Sequence, residues 1–472
     1  MAEGAQMVQT LVMKFGGTSI RSASRFAAVA GIIEGTEGAT AIVVVSAMSG
    51  TTGALIDGAR AAAEGHTGRF QAVRSNLLER HLAVVDALLG SSPESAPLAE
   101  YIAGRLDGYD RLCNSIATLG ELTMRGTDAV ASIGEELSSR ILAVALRARG
   151  IRAKALSATT LVRTDDHYGS ANPDMAATRC LIATNLRPLL DEAILPVVTG
   201  YIGATERGVT TTLGRGGGDL SAAILGSCLD ADEVWIWTDV DGILSADPKL
   251  VPEAHTLREL SFAEAEELAY FGADVLHPKT VAPLGARGIP LRILNSFAPD
   301  DPGTLIVPEP DPGRIITPAI ISTGGLSLIG VSGGGRGWSL QMASRALRCL
   351  ANAGVGVLMF SQSFSERSLN LVVRRQDQKH SVNALKREFD RDLALGLLSH
   401  IGTQEEVASI SMVGMSDDPD AAIAPRAFAA LGKLGLRVIA VAQPASAHSI
   451  SFVISERDLA RAVPFIHREL GL

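Results

Sequence analysis

The sequence predicts an α/β protein: a three-layer αβα arrangement with a mostly parallel sheet, followed by two small βαββαβ modules. Three observations carry this. Over the first 300 residues short β-branched runs alternate with longer helical patterns, the signature of a parallel sheet covered by helices on both faces. Near residues 298–317 the chain turns rich in Pro, Asp and Gly (Pro299, Pro302, Pro308, Pro310, Pro312), which sustains neither a helix nor a central strand. Beyond it, GVGVLMFSQSFSERSLNLVV from Gly354 aligns with GLRVIAVAQPASAHSISFVI from Gly435, an internal repeat at an offset of 81 residues.

Taken in order, residues 11–15 form the first strand, which runs into Gly16-Gly17 and then a helix opened by Thr18, Ser19 or Ser22. Residues 41–46 form the second strand. From 68 to 119 the apolar positions follow helical spacing, with Leu77, Leu78, His81, Leu82, Val85 and Leu88 on one side, so a helical insertion is expected over about 68–130. GEELSSR, residues 134–140, opens a long helix. Further strands are expected at 195–199, 234–238 and 290–294. In the repeat, helices are expected near 339–352 and 421–434. The boundaries read as 1–305 for the large domain, 318–395 for the first module and 396–472 for the second.

Composition narrows the function. Of the 472 residues 47% are apolar, yet no stretch approaches the roughly 20 consecutive apolar residues that span a bilayer. The first ten residues lack the charge and apolar core of a secretory signal, so a cytoplasmic protein with no membrane partner is expected. Net charge is −9 and no Lys/Arg cluster is present to neutralise phosphates, which disfavours nucleic acid. Cys113, Cys180, Cys228 and Cys349 stand far apart without CxxC spacing and read as buried small hydrophobes, neither zinc ligands nor disulfides.

Five segments carry chemistry. In VMKFGGTS, residues 12–19, a strand meets a Gly-Gly turn ahead of a helix, where backbone N–H groups can approach phosphate oxygens. Lys14 precedes the glycines, so this is not the Walker pattern. TTTLGRGGGDLSA, residues 210–222, holds three successive glycines whose entropic cost makes sense as close approach to a ligand. Arg215 offers a planar fork for a carboxylate, and Asp219 is either a functional acid or an N-cap. WIWTDVDGILSADPK, residues 235–249, ends a strand at Thr238-Asp239 and lacks the further ligands of an EF-hand, so nucleotide contact is the better reading. Glu135 of GEELSSR is either a first-turn acid favoured by the helix dipole or a ligand group. In FGADVLHPKT, residues 271–280, His277 before Pro278 reads as a capping or core histidine.

In this order KFGGTS, GEELSSR, TTTLGRGGGD, WTDVDGILSADP and FGADVLHPKT resemble the aspartokinase family of the amino acid kinase fold, and the duplicated modules resemble its paired ACT domains. The regulatory part is most similar to the kinase half of bifunctional aspartokinase-homoserine dehydrogenases; no dehydrogenase portion follows Leu472, so a monofunctional enzyme is expected. The resemblance implies transfer of the γ-phosphoryl group of MgATP to the β-carboxylate of L-aspartate. A carboxylate is already ionised at neutral pH, so catalysis would reduce to positioning and charge stabilisation. By similarity Lys14 would neutralise the transferring group, Gly16 and Gly17 would donate backbone N–H bonds to it, and Asp219 would orient Lys14. Arg215 would grip the α-carboxylate and Glu135 the α-ammonium, with Ser46, Thr52 and Thr212 bonding substrate or phosphate. Thr238, Asp239 and Lys249 would serve the nucleotide.

The sequence departs from that pattern twice. Gly218 stands where many relatives have Ser, and Asp274 where many have a lysine on the ATP phosphates, leaving Lys249 or Lys279 to substitute. The ACT pair implies feedback by an end-product amino acid and a homodimer, or higher homo-oligomer, built through these modules. Gln362 and Gln443 match glutamines of the threonine-sensitive branch, which favours threonine over lysine as effector. Another carboxylate or nucleotide kinase of the same fold, and a silent amino-acid sensor, are the competing readings.

Overall fold

The structure, a computed structural model, describes residues 10–36, 38–271, 276–311, 318–333, 340–363, 367–414, 423–443 and 449–472. The chain divides into two compact units that interleave along the sequence. The first runs to Ile243 and adds Arg258–Phe262 and the described residues from 276 to Pro310; the second takes Leu244–Leu257, the described residues of 263–271, and those from Asp311 onward.

The first unit contains strands β1 (Thr10–Phe15), β2 (Thr40–Val45), β3 (Ala153–Leu156), β4 (Leu195–Thr199), β5 (Ile202–Ala204), β6 (Thr210–Thr212), β7 (Glu233–Thr238), β8 (Glu259–Ser261), β9 (Leu291–Asn295) and β10 (Thr304–Val307). Eight of these form one sheet in the order β3-β4-β2-β1-β7-β9-β10-β8, parallel at every pairing except β9 with β10. β5 and β6 make a separate antiparallel ribbon. Its helices are α1 (Ala23–Glu34), α2 (Thr51–Ala63), α3 (Thr67–Leu89), α4 (Ser95–Leu119), α5 (Met124–Ala148), α6 (Met175–Asn185), α7 (Arg187–Asp191) and α8 (Gly217–Leu229); α9 (Phe262–Phe271) passes into the second unit and α10 (Pro278–Gly285) returns.

Alternation along the central strands builds the layers. Leu11, Met13 and Phe15 of β1 join Val43 and Val45 of β2 in a core with Phe26 of α1, Leu55 of α2, Phe70 of α3, Tyr109 of α4 and Leu137 and Ile141 of α5. On the other face α8 lies so close to β7 that a Cβ on Gly226 would stand 2.5 Å from Val234 Cγ2. The insertion is helical as expected, with Leu77, His81 and Val85 buried on one side of α3.

The second unit carries β11 (Ala319–Gly333), α11 (Leu340–Asn352), β12 (Val357–Ser363), β13 (Ser368–Arg374), α12 (Gln378–Glu388) and α13 (Asp390–Ala394), then β14 (Leu398–Val413), α14 (Ile423–Lys433), β15 (Ala440–Ala442), β16 (Ser449–Ser455) and α15 (Leu459–Leu470). Both copies follow the same strand, helix, two strands, helix order, and they share one antiparallel sheet, β12-β13-β11-β14-β16-β15, joined where β11 pairs with β14. Ala246 and Val251 complete the second copy's core, and buried Ser245 hydrogen-bonds His467 of α15 at 3.0 Å.

Three local expectations are corrected. α5 begins ten residues before Gly134, capped by Thr123 accepting from Gly126 N, so Glu135 is a mid-helix residue and not a first-turn acid. α8 has no side-chain cap; Gly216 turns into it at φ +72° and Asp219 lies inside its first turn. Cys113 and Cys228 are buried, but Cys349 is half-buried and Cys180 exposed. Elsewhere open alternatives close: Ser22 caps α1, and His277 caps α10 by accepting from Lys279 N at 3.2 Å.

Candidate active site

β1 lies at the switch point of the sheet: β2 leads the chain to one side of it and β7 to the other. In open α/β sheets ligands bind beyond the carboxyl ends of strands at such a point. A cavity of about 420 Å³ opens there, lined by Lys14, Ser46, Thr52, Glu135, Gly169, Tyr201 and the glycine loop from Gly214 to Asp219. Six of the residues expected from sequence, Lys14, Ser46, Thr52, Glu135, Arg215 and Asp219, therefore converge, although they come from four separate segments.

Each is placed by a local cause. Lys14 leaves the end of β1 and its Nζ meets Asp219 Oδ1 at 2.5 Å. The two side chains are only 11% and 15% exposed, which leaves this charge pair poorly screened and holds the ammonium at the mouth of the cavity. Gly17 is required because a Cβ would stand 2.7 Å from Ala47 O, so the β1 turn and the β2-α2 turn pack backbone to backbone. Gly216 is required twice, by its positive φ and by the His277 ring, whose Cβ would lie 2.5 Å away. α2 and α8 both start at glycines without side-chain caps, and Thr52 and Gly217 of their first turns line the cavity. Two helix N-termini with open N–H groups favour an anionic occupant.

GEELSSR is a clamp on the β2-α2 turn. Gly134 lets α5 approach so closely that a Cβ would stand 2.7 Å from Ala47 Cβ. Glu135 Oε1 then accepts from Ala47 N at 3.3 Å and Ser138 Oγ from Met48 N at 3.1 Å. The second Glu135 oxygen is buried with no partner among the described residues. Burial pushes the carboxyl up to about 8, against the backbone hydrogen bonds that favour its ionised form. A buried acid lacking one partner, in a cavity wall, is a ready site for a cation such as an ammonium group.

Other expected residues lie elsewhere. Thr212 is fully buried behind the cavity wall, its hydroxyl donating to Asp128 Oδ1 at 2.7 Å. Gly16 lies outside the cavity lining and donates its N–H to Trp237 O at 3.2 Å. Thr238 ends β7 and exposed Asp239 follows it, both outside the cavity lining, the Thr238 hydroxyl donating to Asp239 Oδ1 at 3.2 Å. Lys249 is exposed and belongs to the second unit. Asp274 lies outside the described residues. Lys279 reaches Ser170 Oγ at 3.3 Å, beside the glycine loop. Gln362, on β12, has an amide nitrogen without a partner among the described residues, and the Ser368 hydroxyl, opposite Ser363 in the hairpin, has none there either. In the second copy Gln443 is exposed and Ser449, the match of Ser368, donates to Glu267 Oε2 at 2.8 Å.

Tyr201 and Asp128 were not anticipated. Tyr201 lines the cavity at φ +69°, a conformation uncommon for a bulky residue, with its ring against Gly217. The -TGY- sequence gives no warning of it, because the glycine against the ring, Gly217, is distant in sequence and adjacent only in space. Among the described residues no group of three or more His, Cys, Asp or Glu side chains is placed to hold a metal, and no helix is long and apolar enough to cross a membrane.

Comparisons with known proteins identify the family. The model of the amino acid kinase family matches residues 9–295, and that of the ACT domain matches 329–389 and 410–470. A bifunctional aspartokinase/homoserine dehydrogenase 2 of Arabidopsis thaliana is 31% identical over 98% of the chain, which spans about half the length of that and the similar bifunctional relatives. Aspartokinase 3 of Arabidopsis thaliana is also 31% identical, over 97% of this chain and 81% of its own. E. coli aspartokinase III, in complex with aspartate and ADP, superimposes with a TM-score of 0.82 at 28% identity, covering 98% of this chain and all of that one; its complex with lysine and aspartate gives 0.78. With the motifs, the fold and the paired ACT modules in agreement, the chain belongs to the amino acid kinase family and, within it, to the aspartokinases.

Proposed function

We propose that this chain is an aspartate kinase, which transfers the γ-phosphoryl group of MgATP to the β-carboxylate of L-aspartate and forms 4-phospho-L-aspartate, the opening step of lysine, threonine and methionine synthesis. The observation that carries this reading is the polarity of one cavity: buried Glu135 with an unpartnered oxygen in one wall, and Arg215, Lys14 and two uncapped helix N-termini in the others. An amino acid bearing two carboxylates fits that pattern, with its ammonium at Glu135 and its α-carboxylate at Arg215. Lys14 then neutralises charge at the reacting end, held there by Asp219. Aspartate and ADP in the E. coli relative support the same pair of substrates. Bound MgATP supplies the phosphoryl group. Mg²⁺ usually binds through one or two carboxylates together with substrate phosphates, so the nucleotide would bring most of its ligands.

The ACT modules support feedback by an end-product amino acid and a homo-oligomer assembled through them; for the location we keep the cytoplasm. Gln362, whose amide nitrogen has no partner among the described residues, is the preferred effector contact, with Gln443 as its counterpart. We take threonine as effector. Lysine is the second reading, because the E. coli relative binds it.

Hydroxamate formation from L-aspartate, MgATP and hydroxylamine traps an acyl phosphate and tests the activity, with Lys14→Ala as control. Signal that vanishes in the control is expected; no signal from the wild type, or equal signal from L-glutamate, overturns the assignment. Titrating the same assay with threonine and with lysine decides the effector, and inhibition by lysine alone refutes threonine.

A further inference from the structure

We infer that Asp128 is a positioning residue that sets where Arg215 stands, so that substrate affinity depends on a carboxylate outside the cavity. This rests on the reading of Arg215 as the group that holds the α-carboxylate.

Asp128 lies on α5, seven residues before Glu135 and so nearly on the same face of the helix, and is 1% exposed. Its Oδ2 accepts from Gly169 N at 2.9 Å and from Thr212 N at 3.0 Å, and its Oδ1 from the Thr212 hydroxyl at 2.7 Å. One carboxylate thus grips two segments that meet nowhere near each other in sequence. Those two segments flank the Arg215 loop. Thr212 ends β6 three residues before Arg215, and Leu213 between them is fully buried. Gly214 turns at φ +79° directly over Gly169 and Ser170, where a Cβ would stand 3.0 Å from Ser170 Oγ and 3.2 Å from Gly169 O. Ala171 N completes the tie by donating to Thr212 O at 2.8 Å. The stem of the arginine loop is therefore fixed directly at Thr212 and, through Gly169, beneath Gly214.

A buried carboxylate must have its oxygens satisfied, and here all three donors come from the two segments that flank the loop carrying the guanidinium. Since the same helix holds the β2-α2 turn through Glu135 and Ser138, α5 fixes the distance between the two halves of the amino-acid site. Losing Asp128 leaves Thr212 and Gly169 donors unpaired in the interior, and the loop can satisfy them only by moving.

The experiment is a set of steady-state measurements on the full chain with Asp128→Ala, Asp128→Asn, Arg215→Ala and the Asp128→Ala/Arg215→Ala double variant. Asp128→Ala is expected to raise KM for L-aspartate by about tenfold or more while kcat and KM for MgATP stay within about threefold. Asp128→Asn is expected to recover most of that loss, because its amide oxygen can accept both N–H groups while its nitrogen donates to the Thr212 hydroxyl. In the Arg215→Ala background the further loss from Asp128→Ala should fall below about twofold. β-Alanine, which is aspartate without the α-carboxylate, should be used equally poorly by wild type and Asp128→Ala. A full penalty in the Arg215→Ala background, or a loss confined to kcat or to MgATP, overturns the proposal. If Arg215→Ala itself leaves KM for L-aspartate unchanged, it is the placement of Arg215 that fails. Should Asp128→Ala not fold, Thr212→Val removes one of the three bonds and must show the same selective rise in KM, smaller in size; a rise shared by MgATP refutes the idea.

Discussion

Replacing Glu135 by Gln should stabilise the protein while it disables the site. Glu135 is 3% exposed, and burial lifts its carboxyl from 4.5 to about 8. The folded-state value lies above the unfolded one, so between pH 4.5 and 8 the folded chain holds a proton that the unfolded chain has released. The group's contribution to stability is therefore fully present below 4.5 and declines as pH rises through that window. At pH 7 the gap is two and a half pH units, which at 1.36 kcal/mol per unit amounts to roughly 3 kcal/mol of lost stability. Gln removes this cost, being nearly isosteric with the protonated acid, and its oxygen can still accept from Ala47 N. Thermal melts of wild type and Glu135→Gln should coincide near pH 4.5 and separate in favour of Gln by about 5 °C at pH 7 to 8. A difference that does not change with pH, or a Gln variant that melts lower at pH 8, would refute the reasoning. L-Aspartate should raise the melting temperature of the wild type and leave Glu135→Gln unmoved. In the wild type its ammonium draws the carboxyl into the ionised form, so binding near pH 7 should release up to one proton, read as a dependence of the calorimetric enthalpy on the buffer.

Two further outcomes follow from burial and packing. Gly134→Ala places a Cβ 2.7 Å from Ala47 Cβ and 3.2 Å from Thr51 Cγ2, so α5 and the β2-α2 turn must separate; overpacking of this kind costs about 1–3 kcal/mol, and hydroxamate formation should fall by at least about tenfold even where denaturant melts show the protein folded. His81, fully buried in α3 and bonded only to Leu77 O, is lowered by burial to about 4; the unfolded chain therefore takes up the proton first, and wild type should lose stability as pH falls from 6.5 toward 4, by roughly 3 kcal/mol at the lower end. Urea melts of His81→Leu should lack that loss between pH 6.5 and 5, and an unchanged pH dependence would sink the assignment.

What could be read from the sequence depended on how far each feature depends on its own neighbours. The strands β1, β2, β4, β7 and β9 were legible because each buries both faces and so appears as a continuous apolar run, within one residue of the observed ends. β5, β6, β8 and β10 have only three or four residues, too few to show a period, and are strands because of the partners they meet. The start of α5 was missed for a related reason. Its N-cap, Thr123, sits in a polar turn between two helical patterns, and the conspicuous GEELSSR drew the boundary ten residues late.

The same distinction separates the residues of the site. Lys14, Gly17 and Gly216 to Asp219 were legible because turn chemistry and ligand chemistry coincide in a few adjacent positions. Asp128 was not, since an acid in the sequence MRGTDAVAS looks like any solvated helix acid until the strand ending at Thr212 is folded against it. That is a physical limit more than a failure of pattern reading: a positioning residue acts on segments 41 and 84 residues away, and its local sequence carries no trace of what it holds. It also explains why α5 matters beyond Glu135. From Asp128 to Ser138 one buried helix face supplies hydrogen-bond acceptors to the turns that present Ser46, Thr52, Gly169 and Arg215 to the cavity. A substitution that shifts α5 along its axis should therefore disturb both ends of the amino-acid pocket at once, whereas one that alters the Lys14 and Asp219 pair should leave amino-acid affinity largely intact and act on the transfer step.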